Sequence, residues 1–93
     1  MPRAQEVRRV DFLHPDGWRE VHIIWRLPGG GYRARLSLLN RQGERRAGYD
    51  WHFRKSAHRH YRNAEEPYEF TTVDRLLGDF ARDVERLKRE EQP

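Results

Sequence analysis

The chain has 93 residues, 19 Lys plus Arg against 15 Asp plus Glu, a formal net charge of +4 and no cysteine. That length is expected to form a single domain over residues 1–93, and 12% aromatic content gives it core-forming bulk despite 37% charged residues. The missing cysteines exclude a disulfide scaffold, a cysteine nucleophile and a thiolate metal site. No apolar run approaches the ~18 residues that cross a bilayer. The N-terminal Met-Pro-Arg-Ala-Gln-Glu has no apolar signal-peptide core, so a cytoplasmic protein with no membrane partner is expected.

The first strand reads through Val10-Asp11-Phe12, beginning near Val7. It stops at His14-Pro15-Asp16-Gly17, where Pro at the second turn position and Gly at the fourth suit a type I turn with a glycine bulge. The next strand alternates Val21, Ile23, Trp25 and Leu27 on one face with Glu20, His22, Ile24 and Arg26 on the other. Pro28 and three glycines break it. A third strand sets Tyr32, Ala34, Leu36 and Leu38 against Arg33, Arg35 and Ser37. After Asn40-Arg41-Gln42-Gly43, a fourth places Ala47, Tyr49 and Trp51 opposite Gly48, Asp50 and His52.

Residues 52–67 have no clear period and read as a His-rich loop, with room for short strands near His58–Tyr61 and Tyr68–Phe70. The helix is predicted over about 72–89, opened by a capping box in Thr71-Thr72-Val73-Asp74. Val73, Leu76, Leu77, Phe80, Val84 and Leu87 give it an apolar stripe. The class is therefore α+β: a four- to five-stranded antiparallel meander over about 7–52, with one amphipathic C-terminal helix on one face. The expected core is Val10, Phe12, Val21, Ile23, Trp25, Leu36, Leu38, Tyr49 and Trp51 against that helix.

Charge is unevenly placed. Residues 1–64 carry a net +8 and residues 65–93 a net −4. The acidic part is mostly the helix, whose charges are expected to point to water. The face away from the helix should hold His22, Arg26, Arg33, Arg35, Asp50 and His52. This basic surface suits a polyanion such as RNA, or is simply the solvated face of an antiparallel sheet. Gly48 in the same row would let a ligand approach the backbone.

The densest chemistry lies in His52 through Asn63, with Arg54, Lys55, Arg59 and Arg62 among three histidines and no acid. In an extended backbone His58 and His60 share a face and Arg59 points away. Three readings stand. One is metal-free acid–base cleavage of RNA, with histidines moving protons and Lys55, Arg54 and Arg59 offsetting phosphate charge. Another is a metal pair in His-x-His completed by Asp50 or His52, which the flanking cations oppose. The third is a basic loop that binds phosphate without chemistry. No metal or other cofactor is expected. Tyr61 would stack on a base.

An ordered series runs through Tyr49-Asp50, Lys55, His58-Arg59-His60, Glu66-Pro67-Tyr68-Glu69-Phe70 and Leu76-Leu77-x-x-Phe80. It resembles the TumE family of type II toxin–antitoxin toxins over residues 47–88. The resemblance implies a toxin that cuts mRNA on the ribosome, and a helix-turn-helix antitoxin as partner. A homodimer or toxin–antitoxin hetero-oligomer fits that expectation. Tyr49, Asp50, Lys55, His58, His60 and Tyr68 match position by position. Trp51 stands where the family carries Asn, and the loop before His58 lacks the usual Gly. The catalytic set implied is His58 and His60 for acid–base work, Lys55 and Arg59 for the phosphate, and Asp50 to orient a histidine. His22, Arg26, Arg33, Arg35, His52, Arg54, Arg62 and Tyr61 would hold RNA. The alternative is a non-catalytic RNA- or partner-binding module using the same basic surface.

Overall fold

The structure, a computed structural model, describes residues 3–51 and 56–91. Six strands run in chain order: β1 (Gln5–Leu13), β2 (Arg19–Arg26), β3 (Tyr32–Leu39), β4 (Arg45–Trp51), β5 (Ala57–Tyr61) and β6 (Ala64–Tyr68). One helix, α1 (Val73–Glu91), follows. Each strand pairs antiparallel with the next, so the sheet order is β1-β2-β3-β4-β5-β6. The α+β meander is as expected, with six strands instead of four or five. β5 falls where a short strand was expected near His58–Tyr61, whereas the last strand lies at Ala64–Tyr68 and not at Tyr68–Phe70, and the two form a hairpin over most of the predicted loop. Its residues give no apolar alternation because β5 carries Arg59 on one face and His58 and His60 on the other. Pairing with β4, not local pattern, sets its register.

Three of the turns repeat one device. At His14–Trp18, Leu27–Gly31 and Asn40–Glu44 the first amide bonds the fifth carbonyl, at 2.7, 3.0 and 2.9 Å. The fourth amide, always glycine, bonds the first carbonyl at 2.9–3.1 Å. This is a type I turn closed by a glycine bulge. Gly17, Gly30 and Gly43 take φ of +93°, +92° and +83°, where a side chain would be strained. The helix is capped by Thr72, whose Oγ1 accepts the Arg75 amide at 3.1 Å. The cap is thus one residue later than the Thr71 box predicted.

The core lies between α1 and one sheet face. Ile24, Ala34, Leu36, Leu38, Ala47 and Tyr49 pack on Leu76, Phe80, Val84 and Leu87, with Trp18 closing one end. The helix stripe is as predicted. The face of β2 is not: Ile24 and His22 look to the helix, so Val21, Ile23 and Trp25 lie on the open side, and Phe12 is 51% exposed. Both faces of β2 carry apolar residues, so alternation alone could not orient it. His22 tolerates burial because its polar atoms are met. Nδ1 accepts from Arg8 at 3.2 Å, leaving the ring proton on Nε2 to reach Glu20 at 2.9 Å.

The helix charges also differ from expectation, since many turn inward to the basic sheet. Arg46 grips Glu91 with three contacts of 2.7–3.2 Å, and Lys88 bonds Asp16 at 2.7 Å. The +8 and −4 regions therefore partly neutralise each other within the molecule. Among the described residues no helix is long and apolar enough to cross a membrane.

Candidate functional site: the open sheet face

Away from the helix, the ladder sets functional side chains in rows. Arg35 on β3 stands opposite Asp50 on β4, which stands opposite His58 on β5. In the next row come Ser37, Gly48 and His60. His58 and His60, two residues apart on one strand face, are spaced about 7 Å. Trp25 on β2 stands opposite Arg33. A cleft of about 330 Å³ is lined by Trp25, Arg33, Ala34, Arg35, Asp50 and Trp51.

Asp50 is the hub. Arg45 donates two hydrogen bonds to it, at 2.6 and 2.9 Å, and a third to the Leu36 carbonyl at 2.8 Å. His60 Nε2 lies 3.1 Å from Asp50 Oδ2, yet is buried and makes no aligned hydrogen bond there. The contact is electrostatic, with its geometry short of a bond. Burial pushes the Asp50 carboxyl up, but the Arg45 bonds and charge, with His60 and Arg35, outweigh it and hold the carboxyl below its ordinary range. His58 Nδ1 lies 3.4 Å from Glu65 on β6.

Arg45 reaches this face through a bulge. Arg45 and Asp50 are five residues apart, so a regular strand would place them on opposite faces. The register shifts between Leu38 and Leu39, whose partners are Ala47 and Arg45. The extra residue, Arg46, turns to Glu91 while Arg45 joins Asp50. Gly48 completes the arrangement. A Cβ there would stand 2.2 Å from the Arg45 Nη2 and 2.3 Å from the Leu36 carbonyl oxygen. The glycine makes room for a guanidinium of the same strand, not for an outside ligand.

Asp50, His58, His60, Arg33 and Arg35 thus come together. Arg33 and Arg35 are exposed and have no ion-pair partner among the described residues. Other expected site residues lie elsewhere. Arg59 is on the helix face, bonding Asp83 twice at 2.8 Å and Glu66 at 2.7 Å. These bonds, with the Asp83 contribution largest, raise its pKa further, and each of its three nitrogens already donates to a carboxylate on the side away from the histidines. Tyr61 also faces the helix, giving its hydroxyl to Glu90 at 2.7 Å. Burial and then Glu90 push that hydroxyl up to about 12. Arg62 sits in the β5–β6 turn with Glu90 and Glu91. His22 is buried under the helix, and Arg26 ends β2 on that same side. Lys55, His52 and Arg54 lie outside the described residues. Sequence reasoning missed Arg45, which only the bulge brings into place, and Trp25, which was assigned to the core. Among the described residues no group of three His, Asp or Glu is placed to hold a metal ion.

A family profile described as Toxin TumE matches residues 20–88, which takes in β2 through most of α1. No curated protein and no solved structure matches the chain.

Proposed function

The chain belongs to the TumE toxin family, and from that premise we infer that this toxin of a toxin–antitoxin system cleaves mRNA on its open sheet face. The observation that carries this reading is the placement of His58 and His60 beside Asp50, on one face with the exposed cations Arg33 and Arg35, which have no ion-pair partner within salt-bridge distance among the described residues. Two histidines on one strand face, their backbone positions about 7 Å apart, can flank one phosphate. The neutral one takes the proton of the 2′-hydroxyl as that oxygen bonds to phosphorus. The protonated one gives its proton to the 5′-oxygen as the P–O5′ bond breaks. The products are a 2′,3′-cyclic phosphate and a 5′-hydroxyl. Arg35, directly across from Asp50, offsets phosphorane charge in place of the sequestered Arg59. Lys55 keeps the phosphate role that the family motif implies. Asp50 holds His60 by charge while Arg45 keeps the carboxylate aimed. The ribosome and a helix-turn-helix antitoxin are the proposed partners, in the cytoplasm.

The test is cleavage of mRNA by purified protein, with and without ribosomes, with cut ends mapped. His58→Ala and His60→Ala are each expected to lose about a hundredfold or more of the cleavage rate and to stop growth arrest in cells without antitoxin. If both variants cut like the parent, the assignment is wrong. One observation favours a non-catalytic RNA-binding module: Asp50 is already paired bidentately by Arg45, leaving it little pull on a histidine. RNA binding that weakens with salt but never yields cut ends would establish that reading.

A further inference from the structure

We propose that Trp25, with Arg33 across the ladder, forms a stacking subsite for a nucleobase of single-stranded RNA flanking the phosphate at the histidines. The proposal rests on the RNA-binding reading above and adds where the strand runs. Trp25 is half-buried on the open face, where no helix covers it. Of the other two tryptophans, Trp18 is 4% exposed in the core, and Trp51 packs edge-on against Phe70 with centroids 5.4 Å apart and borders only the first of the two clefts at Trp25. Trp25 instead forms a wall of two clefts, and Arg33 lines both. One, of about 330 Å³, runs on to Arg35 and Asp50; the other, of about 300 Å³, is bounded by Ala4 and Leu27. A flat indole with open space beside it is a platform that a base can cover.

The charges around it favour a nucleic acid over a protein segment. Arg33 is exposed and has no acid of its own among the described residues. Glu6, the cross-strand partner of Trp25 on β1, is occupied by Arg9 at 2.6 Å. An aromatic surface beside exposed guanidinium groups matches the needs of a strand whose bases stack while its phosphates need cations. Trp25 and His58 are three strands and one row apart, about 16 Å by sheet spacing. The stacked base therefore lies a few nucleotides along the strand from the bond being cut. Stacking tolerates every base, so the subsite fixes where the strand lies without choosing its sequence.

The experiment measures binding of a short single-stranded RNA bearing 2′-O-methyl groups, which cannot be cut by 2′-hydroxyl attack. Abasic nucleotides are placed singly along it. In the parent one abasic position should weaken binding about tenfold or more. Trp25→Leu should weaken the intact strand by a similar factor and lose its sensitivity at that position. Trp25→Phe, which keeps a stacking ring, should recover most of the affinity. Arg33→Ala, on an exposed side chain, should lower affinity and reduce the salt slope by about one; this arm still decides if the leucine variant fails to fold. An abasic profile identical in parent and Trp25→Leu overturns the subsite, as does a leucine variant that binds RNA normally but loses its antitoxin. A parent that binds no RNA fails at the functional reading itself, whereas a parent that binds and cuts with Trp25 irrelevant fails only here.

Discussion

On the helix face Arg59 donates two hydrogen bonds to Asp83, and on the open face Arg45 does the same to Asp50. The surroundings separate the two pairs. Asp83 is 8% exposed and also accepts the Tyr49 hydroxyl at 2.7 Å, while Arg59 gives its remaining arm to Glu66 and lies over the Tyr61 ring. Burial and then Asp83 push the Tyr49 hydroxyl well above its usual range, so that it stays a donor. The second pair instead borders an open cleft, with His60 Nε2 held by no aligned bond. The same ion pair is a clamp where its carboxylate also holds a buried hydroxyl beneath the helix, and part of a reactive surface where it borders an open cleft beside a histidine nitrogen with no aligned bond.

Removing one partner from each pair should expose that difference. Asp83→Ala leaves the Arg59 guanidinium with Glu66 alone and strands the Tyr49 hydroxyl beneath the helix, and is expected to cost about 3 kcal/mol in denaturant unfolding. RNA affinity of the fraction that remains folded should be unchanged, because no open-face side chain moves. A loss below about 1 kcal/mol would mean that Asp83 is no clamp. Gly48→Ala acts on the other pair. Its Cβ meets the Leu36 backbone carbonyl as well as Arg45, so the loss should be about 2–3 kcal/mol and Arg45 should leave Asp50. Cleavage should then fall along with stability, unlike in Asp83→Ala.

Acid titration sharpens the contrast at Asp50. Its folded carboxyl lies below the ordinary value, so below about pH 4 the unfolded state binds the proton first. The stability that Asp50 contributes is present above that range and is lost as pH falls through the folded value. Asp50→Asn lacks this group and should lose less stability than the parent between pH 5 and 2 in urea midpoints. Identical acid limbs would show that Arg45 does not favour the charged carboxylate.

How much of this was readable in the sequence follows from which interactions are local. Glycine-bulge turns, alternation in β3 and the α1 stripe depend on near neighbours, and His58 and His60 share a face because strand period is two. The β2 face was not legible, since Ile24 and Trp25 are adjacent and both apolar, and only the burial of His22 with Glu20 and Arg8 settles which points inward. The Arg45–Asp50 pair was hidden by odd spacing that a bulge corrects. Arg59 carried the right charge for a phosphate, but its partner Asp83 lies 24 residues on, in the helix. Its outward direction from the histidines was legible; what it would meet there was not.

The smallest expected effect tests the helix side alone. Gly78 sits inside α1 with an ordinary helical backbone, and a Cβ built there meets nothing within 4 Å. Glycine within a helix costs about 1 kcal/mol relative to alanine, because the unfolded chain gives up more freedom to adopt it. Gly78→Ala should therefore stabilise the protein by about 1 kcal/mol and raise its melting temperature. The open face is untouched by this change, so RNA binding and cleavage should stay at parental levels. A destabilised variant would show that the position is more crowded than the packing of α1 on the sheet allows. A variant that gains stability but loses cleavage would join the two faces, which the division between clamp and reactive surface keeps apart.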